Sequence, residues 1–227
     1  MISRVYVALL AAVLLAEACG RTAYTGRFQS TYRTEDEEIE VADRAVTSYR
    51  KGVRPVTDVG MRTRVTHVAD RIVDVAKAGP AAERARRLPW EVVVIEGPDT
   101  SVASFPNGVI FVQAALVRVM PADDALAAVL GTAVARILLR HGEEAASRST
   151  SKSRLAGMGN FGSFGSSRVD LAAEQDEEAD YVGCLLAVEA GYDPDRIVTA
   201  YDTLGLKERG DRLRERLPEL RERSAQR

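Results

Sequence analysis

The side chains that could do chemistry are few, and two of them stand four residues apart in an apolar stretch. Thr132 and Arg136 are the polar residues between Leu126 and Leu139, where every other position is apolar or small. In a helix, residues four apart lie one above the other on the same face. Two imidazoles at this spacing, with a glutamate beside the first, hold one zinc ion in many hydrolytic sites. Here the stretch from Thr132 to Arg136 reads TAVAR, so the spacing is present without the ligands.

Other candidate ligands and nucleophiles are scarce. The chain has two histidines, His67 and His141, and two cysteines, Cys19 and Cys184. A closed structural zinc site needs four ligands, and no pair of these residues has the usual spacing. Cys184 lies in an apolar run and is predicted to be a small core residue. His67 lies beside the apolar stripe of its helix, which predicts a surface position.

Composition limits the class of protein. Of the 227 residues, 46% are hydrophobic and 28% are charged, which is typical of a soluble globular protein with a core. The net charge of −2 gives no long-range attraction for nucleic acid, so no nucleic-acid partner is expected. The length predicts one domain together with a targeting segment.

The amino terminus has the pattern of a secretory signal. Arg4 precedes an apolar stretch, Val5–Ala16, that is too short to span a bilayer comfortably. The sequence then offers either an ordinary cleavage site at Ala16–Glu17–Ala18 or a bacterial lipobox ending at Cys19. We predict a signal peptide over residues 1–19, with lipidation of Cys19 as the membrane anchor; a plain exported protein stays the alternative.

Periodicity beyond this segment predicts a helical body that positions Thr132 and Arg136. A linker over residues 20–34 is expected to precede one domain over residues 35–227. Strands at 88–95 and up to 112, with a turn at 106–108, form a hairpin-like unit just before the central helix, which is predicted from Pro121 to Gly142. The remaining predicted elements are helices at 35–50, 59–78, 170–190, 195–206 and about 212–223, and a flexible Gly/Ser-rich loop at 148–167 that contains Phe161 and Phe164.

Four sequence blocks in this order resemble one known family. They are TGRFQ from Thr25, SVASFPNGVIFV from Ser101, LAAVLGTAVARILLRHG from Leu126, and DEEADYVG with AGYDP from Asp176. The chain is similar in these blocks to the zinc metallopeptidase family that includes HtpX, BepA, LoiP and the CAAX prenyl proteases. The resemblance implies an α+β, zincin-like metallopeptidase fold: a helical body with a small, mainly antiparallel sheet.

The catalytic residues of that family do not carry over. Thr132 stands at the position of the first zinc histidine, Ala133 at the general-base glutamate, and Arg136 at the second histidine. Asp176 stands at the third ligand, a glutamate in the family, and Leu217 at a late histidine of many members. A threonine hydroxyl is a poor zinc ligand, and a guanidinium cannot release its proton to become one. Zinc is the cofactor of the family but none is expected here.

The replacements favour an ion pair at this position. In the family the metal supplies positive charge to carboxylates at the positions of Asp176 and Asp180. Arg136 could supply that charge instead, so we predict an ion pair between Arg136 and Asp176 or Asp180. Removing Arg136 alone should leave uncompensated carboxylates and cost on the order of 3 kcal/mol or more. The alternative is that Arg136 points to solvent from a degenerate groove.

The first hypothesis for function follows from the resemblance and the missing ligands. The chain is predicted to be a catalytically inactive, membrane-anchored lipoprotein in the periplasm of a bacterial cell envelope. It would bind an extended peptide or an envelope protein, with a role in protein quality control suggested by the relatives alone. The peptide groove is predicted between the last strand and the central helix, lined by Phe105, Pro106, Gly108 and Ile110.

The alternative is an active metalloendopeptidase with a rearranged metal site. Its ligands would come from Asp176, Glu177, Asp180 and His141. His141 lies nine residues beyond Thr132, about two and a half helical turns, and therefore points elsewhere if the helix is continuous. A purely structural protein without a peptide groove is the third possibility.

Overall fold

A computed structural model describes residues 19–150 and 171–226. Residues 1–18, most of the predicted signal peptide, lie outside the described residues. So do residues 151–167 of the predicted Gly/Ser-rich loop, with Phe161 and Phe164. Cys19 is the first residue of the first strand.

The described chain is mainly helical, with two small sheets. The expected α+β class, a helical body with a small sheet, is confirmed. The strands are β1 (Cys19–Arg21), β2 (Phe28–Ser30), β3 (Glu91–Ile95), β4 (Val102–Ser104) and β5 (Val109–Gln113). The helices are α1 (Glu35–Lys51), α2 (Val59–Ala76), α3 (Ala82–Arg87), α4 (Ala114–Val119), α5 (Asp123–Leu138), α6 (His141–Thr150), α7 (Leu171–Glu189), α8 (Pro194–Thr203), α9 (Lys207–Glu215) and α10 (Leu217–Ala225).

The larger sheet has three strands in the order β3-β5-β4. β4 and β5 form the expected antiparallel hairpin, and Gly108 takes the positive φ of 90° that its turn requires. β3 is parallel to β5, so this sheet is mixed. The central strand is therefore β5, and the two edges are β3 and β4.

Helix α5 is the centre of the helical body. It packs against α2, α7 and α8, and all but a few of its side chains are buried, which explains its nearly uninterrupted apolar sequence. β4 packs against the same helix. Of the two polar positions on this helix, Thr132 is buried, whereas the Arg136 side chain is 21% exposed.

The central helix ends earlier than the sequence pattern predicts. α5 stops at Leu138, Arg140 adopts a left-handed φ of 54°, and α6 starts at His141. The last carbonyls of α5 find side-chain donors: Arg84 Nε lies 3.0 Å from the Ile137 oxygen. Arg140 itself donates to Glu38 Oε2 over 2.8 Å. The prediction of one helix to Gly142 is wrong, because these long-range side-chain bonds stabilise a turn after Leu138.

Helices α5 and α6, on either side of this break, are also relevant to whether the chain could cross a membrane. Among the described residues, no single helix is long and apolar enough to cross a bilayer. The helices Asp123–Leu138 and His141–Ser147 together are long and apolar enough by composition, although they are bent by 52° relative to each other. Buried core helices pass the same test.

Residues 20–34 are more ordered than the predicted linker. β1 and β2 form an antiparallel hairpin, and the segment that follows it reaches α1 at its cap residue Thr34. The hairpin is fixed through polar side chains to α6 and α7, as with Arg27 and Glu178. These long-range bonds have no periodic pattern in the sequence, so the sequence alone predicts a linker here.

Candidate functional site

The residues that the sequence resemblance aligns with a metal centre form two guanidinium–carboxylate pairs. Arg136 Nη2 of α5 contacts Asp176 Oδ1 of α7. Asp180, one helical turn further along α7, is bound by Arg209 of α9. Of the two carboxylates named from the sequence, Asp176 thus pairs directly with Arg136, whereas Asp180 pairs with another arginine.

Asp180 is the most connected group of this site. Its side chain is 2% exposed. Arg209 holds it bidentately, with Nε 2.6 Å from Oδ2 and Nη2 2.5 Å from Oδ1. The Tyr201 hydroxyl donates to Oδ1 over 3.0 Å, and Thr132 Oγ1 lies 3.2 Å from the same oxygen. Side chains from α5, α8 and α9 therefore meet at Asp180 of α7.

The electrostatics of the site follow from burial and from the two neighbouring guanidinium groups. Burial, and then the charge of Arg209, lower the pKa of Arg136 to about 10, although Asp180 opposes this shift. Burial also tends to lower the pKa of Arg209, but its hydrogen bonds to Asp180 outweigh burial and raise that pKa. Both arginines are cationic at neutral pH, so two positive charges balance Asp176 and Asp180.

These residues do not fit a zinc ion. Arg136 has no lone pair to offer a metal, and the Thr132 hydroxyl lies 3.0 Å from both Tyr201 Oη and the Ala128 carbonyl oxygen. Ala133, fully buried, has no group that could take a proton from water. No metal-dependent step can therefore be derived from this donor set.

The side chains of the rearranged-site alternative are spread apart. His141 starts α6 beyond the helix break, and its Nε2 lies 3.0 Å from Glu178 Oε2. Glu177 faces the surface, 3.9 Å from Arg212 Nε. In the two described stretches, no three His, Cys, Asp or Glu side chains are grouped as a metal ion would require. Leu217 is a core residue at the start of α10.

The predicted lining of a peptide groove is wrong. Phe105, 2% exposed, packs against Tyr49 and Phe111 in a small aromatic cluster, and Ile110 is fully buried. Pro106 and Gly108 are buried in the turn between β4 and β5. The reason is topological: β5 is the central strand, so the side chains at and before it fill the core on both faces of the sheet.

The open edge of the sheet is β4. The Gln113 amide donates to the Ser101 carbonyl, and the Phe105 amide donates to the Val109 carbonyl. Because bonding alternates along an antiparallel strand, the backbone groups of Val102 and Ser104 point away from β5. At the other edge, residues 54–56 cover β3 through bonds such as Val56 N to Val94 O.

Sequence reasoning missed Arg209 and Tyr201. Arg209 lies in the charged segment KERGDR, 29 residues beyond Asp180, and nothing in its periodicity marks it as half-buried. The signal that the sequence did contain is a charge imbalance. Asp176 and Asp180 are two carboxylates on one largely apolar helix, and Arg136 can neutralise only one of them. The second cation had to come from another element.

Three curated proteins with the name mitochondrial metalloendopeptidase OMA1 are similar to the chain. The protein from Arabidopsis thaliana is 31% identical over 147 residues, covering 61% of this chain and 30% of the relative. The Saccharomyces cerevisiae protein is 23% identical over 62% of this chain and 45% of its own length. The Schizosaccharomyces pombe protein is 27% identical over 74% and 49%, respectively. The chain thus spans from 30% to 49% of these relatives.

The relatives contradict the predicted location. All three are named mitochondrial proteins of eukaryotes, so the prediction of an exported, periplasmic lipoprotein of a bacterial envelope is wrong. That prediction depended on a basic residue, a short apolar stretch and Cys19, and such a pattern is not specific to bacterial export. These relatives carry a different name from HtpX, BepA, LoiP and the CAAX prenyl proteases, the members that the sequence blocks resemble.

A family model extends the likeness over most of the domain. The model described as Peptidase family M48 matches residues 63–224, well over half of the chain. The match includes the central helix, the sheet, and the helices that contribute Asp180 and Arg209. The chain belongs to Peptidase family M48.

Proposed function

We propose that the chain is a non-catalytic member of its peptidase family and that it binds an extended peptide or protein segment. The observation that carries the proposal is the pairing of Arg136 with Asp176 at the position of two family metal ligands. A guanidinium there excludes a cation by charge and gives no lone pair for coordination.

Hydrolysis needs a proton acceptor beside the attacking water. The general-base position is Ala133, a buried methyl group. The nearby carboxylates Asp176 and Asp180 each accept hydrogen bonds from a guanidinium, so their oxygens already have partners. Neither is free to act as a base, and this supports binding without cleavage.

Peptide binding is supported by the edge of β4. Val102 and Ser104 direct backbone groups away from β5, and in the described residues no strand pairs with that edge. An extended segment can add to such an edge through main-chain hydrogen bonds. It would then run beside the central helix, past Arg136.

The competing function is metal-dependent proteolysis, because the three relatives are named metalloendopeptidases. Full-length protein purified without chelator should be dialysed against zinc and assayed for bound metal and for casein cleavage. We expect less than stoichiometric zinc and no cleavage that a chelator abolishes. Stoichiometric zinc with chelator-sensitive cleavage would overturn the proposal and direct mutagenesis to Glu177, Asp180 and His141.

Strand addition has its own test. Ser104→Pro removes an amide that points away from β5, so the sheet should fold while the edge loses a donor. Ser104→Ala keeps the amide and is the matched control. Peptides selected from an array on the wild type should bind the alanine variant normally and the proline variant at least about tenfold more weakly, which is a loss of about 1.4 kcal/mol. Equal binding by all three proteins would show that peptides do not use this edge.

A further inference from the structure

Residues 22–33, here called the strap, are held to the body of the protein almost entirely by polar contacts. Thr22 is the one buried residue of the strap, at 5% exposed, whereas Phe28 and Tyr32 are 68% and 66% exposed. Tyr24 packs partly against the core. A segment with so little buried apolar surface depends on its hydrogen bonds and ion pairs for its position.

The first set of contacts converges on Glu178 of α7. Three strap side chains bind its carboxylate: Thr22 Oγ1 at 2.6 Å, Arg27 Nε at 2.7 Å, and Thr25 Oγ1. His141 of α6 is the remaining partner. Burial raises the pKa of Glu178, but the hydrogen bonds from His141 and the strap outweigh burial and lower that pKa to about 2.

The second set of contacts ties the strap to α6. Arg27 also makes a bidentate pair with Glu144, with Nη1 2.9 Å from Oε1 and Nη2 2.7 Å from Oε2. Arg33 Nη1 lies 2.8 Å from Glu143 Oε2, and the Tyr32 amide donates to Ser147 Oγ over 3.1 Å. Arg27 is therefore the cation that joins a carboxylate of α6 to one of α7.

The strap also takes part in the helix break before α6. Gln29 Nε2 donates to the Leu139 carbonyl over 2.5 Å, at the point where α5 has ended and α6 has not begun. Arg140 Nη2 donates back to the Arg33 carbonyl over 2.7 Å. The turn between the two helices is thus bonded to the strap at Gln29 and at Arg33.

A cavity of about 460 Å³ lies between the strap and helices α7 and α9. Tyr24, Thr25 and Arg27 of the strap line it, together with Asp180 and Arg209 of the two helices. The position of the strap therefore sets access to the Asp180–Arg209 pair from this side.

We propose that the strap is a releasable latch. When Arg27 is bound between Glu144 and Glu178, α6 stays docked on α7 and the strap closes one side of the cavity. When Arg27 withdraws, the buried carboxylates of α6 and α7 repel each other across the vacated position, α6 detaches as a local unit, and the cavity opens toward Asp180. The latch acts independently of whether the site cleaves or binds peptide.

The test measures local opening in the full chain by hydrogen exchange. Arg27→Ala is expected to raise exchange of residues 141–147 about tenfold or more, with residues 126–138 of the central helix unchanged. Arg27→Lys keeps the charge but cannot bridge two carboxylates, so its exchange should be intermediate. Arg44→Ala is the matched control, because Arg44 is an exposed arginine paired with Glu40 within α1.

A charge-removal variant separates a latch from a general folding defect. In Arg27→Ala/Glu144→Gln/Glu178→Gln the repelling charges are absent, so exchange in residues 141–147 should return toward the wild-type rate. The latch would be overturned if Arg27→Ala left that segment as protected as in the wild type. It would equally be overturned if exchange rose by the same factor in residues 126–138, or if removing the two charges gave no recovery.

Discussion

Gly131 and Gly183 touch backbone to backbone where the central helix crosses α7. A Cβ atom on Gly131 would lie 2.4 Å from the Gly183 carbonyl oxygen, and one on Gly183 would lie 2.4 Å from the Thr132 amide nitrogen. The crossing fixes the register of two antiparallel helices. Thr132 therefore faces Asp180, and Arg136 faces Asp176, on the same side of the crossing.

The closeness of this crossing predicts that a single methyl group disrupts it. Gly131→Ala and Gly183→Ala should each lower the free energy of unfolding by about 1–3 kcal/mol, because backbone atoms must move apart to make room. The helix propensity of alanine opposes this loss only by roughly 0.5–1 kcal/mol. Chemical denaturation of each variant measures the difference.

Gly52→Ala is a suitable control for those variants. Its added Cβ would meet no atom closer than 3.7 Å, and Gly52 has an ordinary φ of −97°. A change within about 0.5 kcal/mol is expected. Wild-type stability in both Gly131→Ala and Gly183→Ala would mean that the two helices are further apart than described.

The two arginines of the site should differ in their effect on stability. Arg209→Ala leaves Asp180, 2% exposed, without its bidentate partner and should cost about 3–5 kcal/mol. Arg136→Ala leaves Asp176, which is 31% exposed and lies 3.9 Å from Arg209 Nη1. Water and Arg209 can compensate there, so about 1 kcal/mol is expected, less than the sequence alone implied.

Neutralising the carboxylates checks this assignment. Adding Asp180→Asn to Arg209→Ala should recover part of the lost stability. Adding Asp176→Asn to the same Arg209→Ala variant should recover much less. Double-mutant cycles give both coupling free energies. A larger loss for Arg136→Ala than for Arg209→Ala would contradict the assignment of Asp180 as the buried member.

The depressed pKa of Glu178 predicts an acid-sensitive contribution to stability. Its pKa falls from an ordinary value of 4.5 to about 2 in the folded protein, so the unfolded state binds the proton more readily. The stabilisation is complete above about pH 5, on the order of 3 kcal/mol, and is lost as the pH falls from about 4.5 to about 2. Unfolding free energies of the wild type and Glu178→Gln should therefore converge over that range. A difference that is independent of pH would contradict the prediction.

The local periodicity of apolar residues was sufficient to predict the helical body, and the central helix shows why. From Leu126 to Leu138 almost every side chain enters the core, so the sequence marks the element without reference to other parts of the chain. The β4–β5 hairpin has the same property, because its turn carries Gly108 at a positive φ. The parallel pairing of β3 with β5 has no such local mark.

Long-range polar contacts explain what the sequence did not reveal. Arg209 reaches Asp180 from another helix, and Arg27 reaches Glu144 across 117 positions in the chain. Such contacts leave no period in either segment, since a charged residue at a surface position looks the same in the sequence as one that bonds a buried carboxylate. The helix break at Arg140 depends on similar contacts and was missed for the same reason.

The last prediction concerns Cys184, which the sequence placed in the core. Its side chain is fully buried, and burial together with the charge of Asp180 raises the pKa of its thiol. A thiol that is both inaccessible and protonated reacts slowly with electrophiles. In a Cys19→Ser background, labelling of Cys184 in the folded protein should be at least about a hundredfold slower than in denaturant.

A reference thiol makes the result interpretable. Val59 is 64% exposed at the start of α2, so Val59→Cys provides an accessible cysteine in the same fold. It should label quickly while Cys184 stays protected, and protection of Cys184 should disappear together with the global unfolding transition. Cys184 lies one residue beyond Gly183, so native-state labelling near the reference rate would show that the α5–α7 crossing opens. Arg136 and Asp176, which lie on the same two helices, would then not be held in a fixed pair.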